Sequence, residues 1–179
     1  MARKLKVLFL CTGNSCRSQM AEGWARTLKG DVIEAYSAGI ETHGLNPLAV
    51  RVMAEAGVDI RGHTSKTVEA VQNVPFDYVV TVCGHAHETC PMWLGGKTKV
   101  VHVGFDDPPA LAKSAQTEEE ALAHYRRVRD KIRAFVETLP QALSPGTDAQ
   151  SGPQMLKGET HGSVNATPPA PAPTPISET

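Results

Sequence analysis

A short loop near the N-terminus, residues 11–18, holds the residues of this chain best suited to chemistry. Cys11 and Arg17 are separated in it by small or polar residues, and Ser18 follows directly. The residues between the cysteine and the arginine are Thr12, Gly13, Asn14, Ser15 and Cys16. An apolar run precedes the loop and a helical pattern follows it, so backbone N–H groups should converge on one point. That arrangement binds a tetrahedral oxyanion.

Several side chains of the loop have a definite use in such a site. Arg17 supplies a planar fork of donors that matches an oxyanion. Cys11 sits in the same positive field, which favours the thiolate, the nucleophilic form of cysteine. Ser18 is placed to donate to that thiolate, Asn14 can brace the loop through its amide, and Gly13 is expected to take a positive φ. The alternative is a buried cysteine in an ordinary turn between a strand and a helix.

Two further cysteines and an aspartate follow later apolar runs. Cys83 comes directly after one of these runs, and Cys90 lies seven residues further along the chain. Asp107 precedes Pro108 and is the candidate general acid, because a carboxyl on a loop facing the nucleophile can protonate a leaving oxygen. Asp106 is the weaker choice, since no proline follows it directly.

The elements that position these residues alternate between strand and helix. Apolar runs predict buried strands at residues 5–10, 32–36, 78–82 and 99–103. Helical patterns lie between them and at the end, over residues 20–30, 46–57 and 117–139. The alternation predicts a three-layer α/β fold, a four-stranded parallel sheet with helices on both faces. Ligands bind such sheets at the C-terminal ends of the strands, where Cys11, Cys83 and Asp107 should therefore meet.

Two helices carry clear start signals. Asn46 and Pro47 fit an N-cap and a first helical residue. Thr117 and Glu120 fit a capping box at the start of the longest helix. The apolar stripe of that helix predicts the buried residues Ala121, Tyr125, Val128, Ile132, Phe135 and Leu139.

Composition limits the remaining options. The 179 residues carry a net charge of −1, which leaves no electrostatic footprint for nucleic acid or a membrane surface. No apolar run approaches the ~20 residues of a membrane-spanning helix, and we expect a cytoplasmic monomer. In a reducing cytosol the four cysteines indicate catalytic, redox or metal roles rather than structural disulfides. After residue 140 the chain is rich in proline and lacks aromatic residues, so we expect a domain over 1–140 and a disordered tail over 141–179.

The loop sequence CTGNSCRS, continuing as QMAEGWA, resembles the thioredoxin-coupled arsenate reductases, which are built on the fold of the low-molecular-weight protein tyrosine phosphatases. The likeness covers residues 5–140. It includes YSAGI at 36–40, HGLNP at 43–47, VTVCG at 80–84, CPM at 90–92 and GFDDP at 104–108. Phosphatases share the loop after the first strand, and the pair Cys83 and Cys90 is what distinguishes the reductases.

The resemblance implies a relay of three cysteines that serves arsenic detoxification. Cys11 attacks arsenate held by the loop and Arg17, and Asp107 protonates the departing oxygen. Cys83 then attacks the Cys11 sulfur, which releases arsenite and leaves a disulfide between the two. Cys90 attacks Cys83 in turn, and thioredoxin reduces the Cys83–Cys90 disulfide. The partners are arsenate and thioredoxin, and the relay uses no metal and no organic cofactor.

Other functions fit part of the pattern. A phosphatase of the same fold, acting on phosphate monoesters, needs Cys11, Arg17 and Asp107 but neither later cysteine. A thiol module that binds arsenic or zinc without turnover would leave the loop and the acid without a purpose. The later cysteines could also be inert core thiols or part of a zinc site, although the spacing of that site is unlike the common C-x2–4-C pairs. The zinc site would consist of Cys83, His85, His87 and Cys90.

Geometry adds an expectation about the segment between the later cysteines. If residues 84–90 are helical in the reduced protein, a seven-residue step spans ~10.5 Å along the axis. A disulfide needs Cα atoms within ~7 Å. The segment must therefore unwind to join Cys83 to Cys90, and we expect it to be mobile.

A departure from the family concerns potassium. Some relatives hold this ion near the loop with side chains that match Asn14, Glu22 and Ser37, together with an aspartate. Lys66 stands where that aspartate would be. We expect its ammonium to occupy the place of the cation beside Glu22 and to make the protein independent of potassium. The alternative is that Lys66 points into solvent.

Overall fold

The computed structural model describes residues 2–90 and 97–143, and these form alternating strands and helices. The strands are β1 (Leu5–Cys11), β2 (Ile33–Gly39), β3 (Tyr78–Thr81) and β4 (Lys99–His102). The helices are α1 (Arg17–Lys29), α2 (Pro47–Glu55), α3 (Gly84–Glu88), α4 (Pro108–Ala112) and α5 (Glu118–Glu137). The larger part of the predicted tail, from residue 144 onward, lies outside the described residues.

The strands form one parallel sheet in the order β2-β1-β3-β4. This confirms the predicted four-stranded α/β fold. β1 is central because its residues Val7 to Leu10 are fully buried and pair on both sides. In register, Leu10 lies beside Ala38 of β2 and Thr81 of β3, so the three strands end at one edge of the sheet.

β2 runs three residues further than the sequence predicts, to Gly39. Its last residues are small or polar and lack the apolar signal of a strand, yet they pair with the end of β1. Ser37 is fully buried there, and its hydroxyl donates to Glu22 Oε2 at 3.1 Å. The extension matters because the next segment of the chain borders the predicted oxyanion loop.

α5 begins as predicted but buries a slightly different face. Thr117 Oγ1 accepts from the Glu120 N–H at 3.1 Å, and Glu120 reaches back to the N–H of Gln116 at 2.8 Å. Ala121 and Phe135, predicted to be buried, are only partly so. The buried residues are Leu122, Tyr125, Val128, Ile132 and Val136. Ala121 is followed by Leu122, and Phe135 by Val136. Periodicity alone therefore did not decide which residue of each pair faces α1 and α2.

The folded part extends slightly past the predicted domain boundary at residue 140. A short 3-10 helix spans Gln141–Leu143, and Leu143 is buried against the core. Within the described parts of the chain, no helix combines the length and the apolar character needed to cross a bilayer.

Candidate active site

The loop between β1 and α1 is held in shape from outside. The carbonyl oxygens of residues 11–16 all accept hydrogen bonds. Backbone N–H groups of one segment, residues 40–46, donate to four of them at 2.9–3.2 Å, while Gln19 and Met20 of α1 serve the other two. Because the carbonyls are engaged away from the pocket, the N–H groups of the loop are left to face an anion.

The left-handed position in this loop is Asn14, with φ of 46°, which corrects the prediction that Gly13 takes a positive φ. Asparagine tolerates this conformation better than most residues. Gly13 is needed for a different reason. A Cβ built on it would lie 2.3 Å from His43 Nδ1, so only glycine lets the His43 ring pack on the loop.

The buried amide of Asn14 braces the loop, as predicted, and reaches the hydroxyl beside Cys11. Its Oδ1 accepts from the Lys66 N–H at 2.9 Å and from Gln19 Nε2 at 3.0 Å, which fixes the amide orientation. Its Nδ2 donates to Ser18 Oγ at 2.9 Å, and that hydroxyl lies 2.8 Å from Cys11 Sγ. Since Ser18 accepts from Asn14, its own hydrogen is available to the sulfur, where it stabilises a thiolate.

Arg17 joins the loop to the segment that carries the predicted acid. Its Nη1 donates to the Phe105 carbonyl at 3.0 Å, and its Nη2 lies 3.5 Å from Asp107 Oδ1. Asp107 is about half exposed, begins α4 as its N-cap residue, and faces the pocket. Asp106 is exposed and does not line that pocket. The structure therefore brings Cys11, Arg17 and Asp107 together and favours Asp107 over its neighbour.

The pocket above the loop has a volume of about 390 Å³. Besides the loop and Asp107, its walls include His43, Asn46 and Pro109, which the sequence did not assign to the site. Asn46 was predicted only as the N-cap of α2, and its Oδ1 does accept from two N–H groups there. Its Nδ2 also donates to the Tyr125 hydroxyl at 3.0 Å. One side chain therefore both begins a helix and lines the pocket.

Cys83 lies beside the loop, two residues after the end of β3. Its Sγ is 3.4 Å from Thr12 Oγ1, on the residue next to Cys11. The same sulfur accepts from the Ala86 N–H at 3.4 Å and caps α3. Cys90 follows the last turn of α3 and is half-buried, and burial raises the pKa of its thiol. Between these cysteines the chain is helical over Gly84–Glu88, a shorter stretch than the residues 84–90 considered from the sequence, and the expected mobility of the segment stays a prediction.

All four cysteines are free thiols in this structure. Cys16 is buried beneath the loop, and burial raises the pKa of its thiol well above its ordinary value. A protonated, enclosed thiol is a poor nucleophile. Cys16 therefore fits a packing role better than a place in thiol exchange.

The buried Glu22 carboxylate has partners other than the predicted one. Arg26 Nη2 and His63 Nδ1 lie 2.9 and 3.0 Å from its oxygens. Burial raises the pKa of Glu22, but the hydrogen bond and charge of His63, with the charges of Lys66 and Arg26, outweigh burial and hold it below the ordinary value. Lys66 Nζ is 3.3 Å from the Thr64 carbonyl, so its charge acts on Glu22 from a distance.

The zinc interpretation of the later cysteines receives no support. Across residues 2–90 and 97–143, no group of three or more His, Cys, Asp or Glu side chains is placed to hold a metal ion. His87 instead lies 3.3 Å from the hydroxyl of Thr81 and packs against His102.

The low molecular weight phosphotyrosine protein phosphatase model matches residues 6–148, and the chain belongs to this family. Within it, the chain belongs with the arsenate reductases. The arsenate reductase of Halalkalibacterium halodurans is 51% identical over 138 residues, which cover 77% of this chain and 96% of that protein. The arsenate reductase of Bacillus subtilis is 52% identical over 136 residues, 74% of this chain and 95% of the relative.

Solved structures agree with this placement. An arsenate reductase in the phosphate-binding state superposes with a TM-score of 0.63 at 34% identity, over 78% of this chain and 99% of the other. The arsenate reductase of Archaeoglobus fulgidus gives 0.59 at 30% identity, over 74% and 97%. An arginine phosphatase, at 20% identity and a TM-score of 0.61, shares the fold.

Proposed function

We propose that this protein reduces arsenate to arsenite and takes the electrons from thioredoxin through Cys11, Cys83 and Cys90. The observation that carries the proposal is the position of the Cys83 sulfur, 3.4 Å from the hydroxyl of Thr12. That position gives the nucleophile of a phosphatase-type loop a second thiol at its side. Hydrolysis of a phosphate ester has no use for such a thiol.

The first step is substitution at arsenic. The loop N–H groups and Arg17 hold the oxyanion, and the Cys11 thiolate, which accepts from Ser18, attacks arsenic(V). An oxygen leaves as water after Asp107 donates a proton. The product is a thioester of arsenic(V) on the Cys11 sulfur, with no change yet in oxidation state.

The second step transfers the electrons. The Cys83 sulfur attacks the Cys11 sulfur, the S–As bond breaks, and its electron pair stays on arsenic, which becomes arsenic(III) and leaves as arsenite. The two sulfurs are now joined in a disulfide. Attack from the end of β3 needs little movement of the backbone, because β1 and β3 are hydrogen-bonded neighbours.

The third step moves the disulfide away from the loop. Cys90 attacks Cys83, and Cys11 leaves as a thiolate ready for another arsenate. A thioredoxin dithiol then reduces the Cys83–Cys90 disulfide and takes up the oxidation itself. Because all three cysteines must be reduced between turnovers, we place the protein in the cytoplasm, where it acts as a monomer.

The test is arsenate-dependent NADPH oxidation with thioredoxin and thioredoxin reductase. Cys83→Ser and Cys90→Ser should both abolish steady turnover. Without thioredoxin, Cys90→Ser should still release one arsenite per chain, because its first two steps are intact, and Cys83→Ser should release none. Steady turnover in both variants rules out the relay.

Hydrolysis of para-nitrophenyl phosphate by the same variants is the matched control. It depends on Cys11, Arg17 and Asp107 alone, so both serine variants should retain whatever hydrolysis the unmodified protein shows. If hydrolysis is fast and arsenate consumes no NADPH even in the unmodified protein, the phosphatase interpretation replaces the reductase.

A further inference from the structure

Thr81, the last residue of β3, joins two histidines from different elements. Its Oγ1 lies 2.9 Å from Nδ1 of His102 on β4 and 3.3 Å from Nδ1 of His87 on α3. The two imidazole rings lie side by side, with centroids 4.5 Å apart and planes inclined by 33°. Thr81 itself is fully buried. The contact therefore fastens an exposed residue of α3 to the interior of the sheet.

The hydroxyl suits two imidazoles at once. It has one hydrogen to donate and lone pairs to accept with, so it can donate to one Nδ1 and accept from the N–H of the other. Ring packing of this kind adds to the hydrogen bonds. His87 thus has a fixed position although its surroundings are largely open to solvent.

α3 depends on such contacts to remain helical. It has only five residues, Gly84–Glu88, and a helix that short does not hold its shape alone in water. Its other attachments are the buried Ala86 and the Cys83 sulfur that caps its N-terminus. The Cys83 cap is lost whenever that sulfur enters a disulfide.

Formation of the Cys83–Cys90 disulfide requires α3 to unwind. From its N-cap Cys83 to its C-cap Thr89, α3 makes six steps that cover ~9 Å along the axis, whereas a disulfide needs Cα atoms within ~7 Å. Unwinding moves His87 off Thr81. The contact with Thr81 is therefore present in the dithiol state and absent from the disulfide state.

We propose that Thr81 and His87 are positioning residues that keep α3 wound while Cys83 and Cys90 are reduced. This inference rests on the proposed relay. An interaction that stabilises only the dithiol state raises the reduction potential of the couple. Thioredoxin then reduces the Cys83–Cys90 disulfide more easily. The same stabilisation disfavours direct oxidation of the two thiols, so the disulfide forms mainly when Cys90 attacks Cys83 in the Cys11–Cys83 disulfide.

The test measures the Cys83–Cys90 couple against glutathione in the full chain carrying Cys11→Ser. In this equilibrium Cys83 and Cys90 form one S–S bond and lose two electrons and two protons. Glutathione disulfide accepts both and splits into two thiols. Alkylation of the remaining thiols and peptide mass spectrometry give the oxidised fraction.

Two matched pairs isolate the contact. His87→Ala is compared with His85→Ala, which removes another exposed imidazole from the same helix with the same gain in helix propensity. Thr81→Val is compared with Thr81→Ser, which keeps the hydroxyl. Relative to its partner, each disrupting variant should favour the disulfide about fivefold, as for one net hydrogen bond. That change is a fall of about 20 mV at 29.6 mV per tenfold.

The outcomes separate this inference from the relay itself. Equal potentials within both pairs would show that the Thr81–His87 contact does not act on the couple and would overturn the inference alone. If no Cys83–Cys90 disulfide forms even at a high concentration of glutathione disulfide, the relay is overturned, and the inference with it. The His87 pair keeps the test decisive even if the buried Thr81→Val variant does not fold, because both histidines are exposed.

Discussion

Arg17 Nη1 donates to the carbonyl oxygen of Phe105 at 3.0 Å, which ties the first residue of α1 to the segment before the acid. The guanidinium has five N–H donors, so this contact leaves others for an oxyanion. Asp107 Oδ1 lies 3.5 Å from the same side chain. Arg17 therefore connects the loop proposed to bind the anion with the residue proposed to protonate it.

Arg17→Lys should lower kcat/KM for arsenate by about 10²–10³, comparable to loss of an oxyanion donor. Lysine keeps the charge but cannot bind the anion and the Phe105 carbonyl through one planar group. Steady-state kinetics of NADPH oxidation measures the effect. Activity within threefold of the unmodified protein would show that charge alone is sufficient at this position.

Asp107→Asn should lower kcat by about 10²–10⁴, the usual contribution of a general acid. Asp106→Asn is the matched control, since it neutralises the adjacent carboxyl, which is exposed and outside the pocket. It should change kcat by less than about twofold, as for a surface residue. Equal losses in the two variants would contradict the assignment of the acid to Asp107.

Ser18→Ala should slow alkylation of Cys11 by iodoacetamide at neutral pH about tenfold. The hydroxyl 2.8 Å from the sulfur favours the thiolate, and the alkylating agent reacts with that form. Labelling rates of the Cys11 peptide, read by mass spectrometry, measure the change. The labelling rate of the half-buried Cys90 is the internal control and should remain constant.

Gly13→Ala should weaken oxyanion binding, because the new methyl would lie 2.3 Å from His43 Nδ1. One of the two chain segments must then shift, which disturbs the N–H groups of the loop. A double-mutant cycle with His43→Ala measures the coupling, with KM for arsenate and the thermal midpoint as readouts. Removal of the imidazole should restore most of the loss, and strictly additive effects would show that the strain has another origin.

Glu22→Gln should destabilise the protein by about 1–3 kcal/mol at pH 7, as for loss of charged hydrogen bonds at a buried group. The pKa of Glu22 is lower in the folded protein than its ordinary 4.5. Its contribution is therefore fully present above pH 4.5 and is lost as pH falls through the folded value. Urea unfolding of both proteins from pH 7 to pH 3.5 should show the difference shrinking with acid. A difference independent of pH would assign the effect to packing.

The loop and the position of Cys11 at its start could be predicted because they depend on local sequence. An apolar run, a turn of small residues and an amphipathic helix follow one another directly, and the structure has β1, the loop and α1 in that order. The position of Cys83 could be predicted as well, because a residue that follows a parallel strand lies at the same edge of the sheet as Cys11.

What the sequence did not reveal depends on contacts between distant segments. Asn14 has the positive φ predicted for Gly13, because its amide is held by Lys66 and Ser18 on opposite sides. His43 enters the pocket because its segment pairs with the loop backbone. The partners of Glu22 are Arg26 and His63. The sequence pattern could not predict them, because hydrophobic periodicity does not indicate which cationic side chain reaches a buried carboxylate.

The engagement of every carbonyl in residues 11–16 has a consequence for protein engineering. The eight residues 11–18 are not a transferable module, because four of their backbone acceptors are satisfied by residues 40–46 and a fifth by Gln19. Grafted alone onto another sheet, the loop would leave those carbonyls free to turn toward the anion and repel it. A graft must carry residues 40–46 and Gln19 as well to keep those five carbonyls engaged.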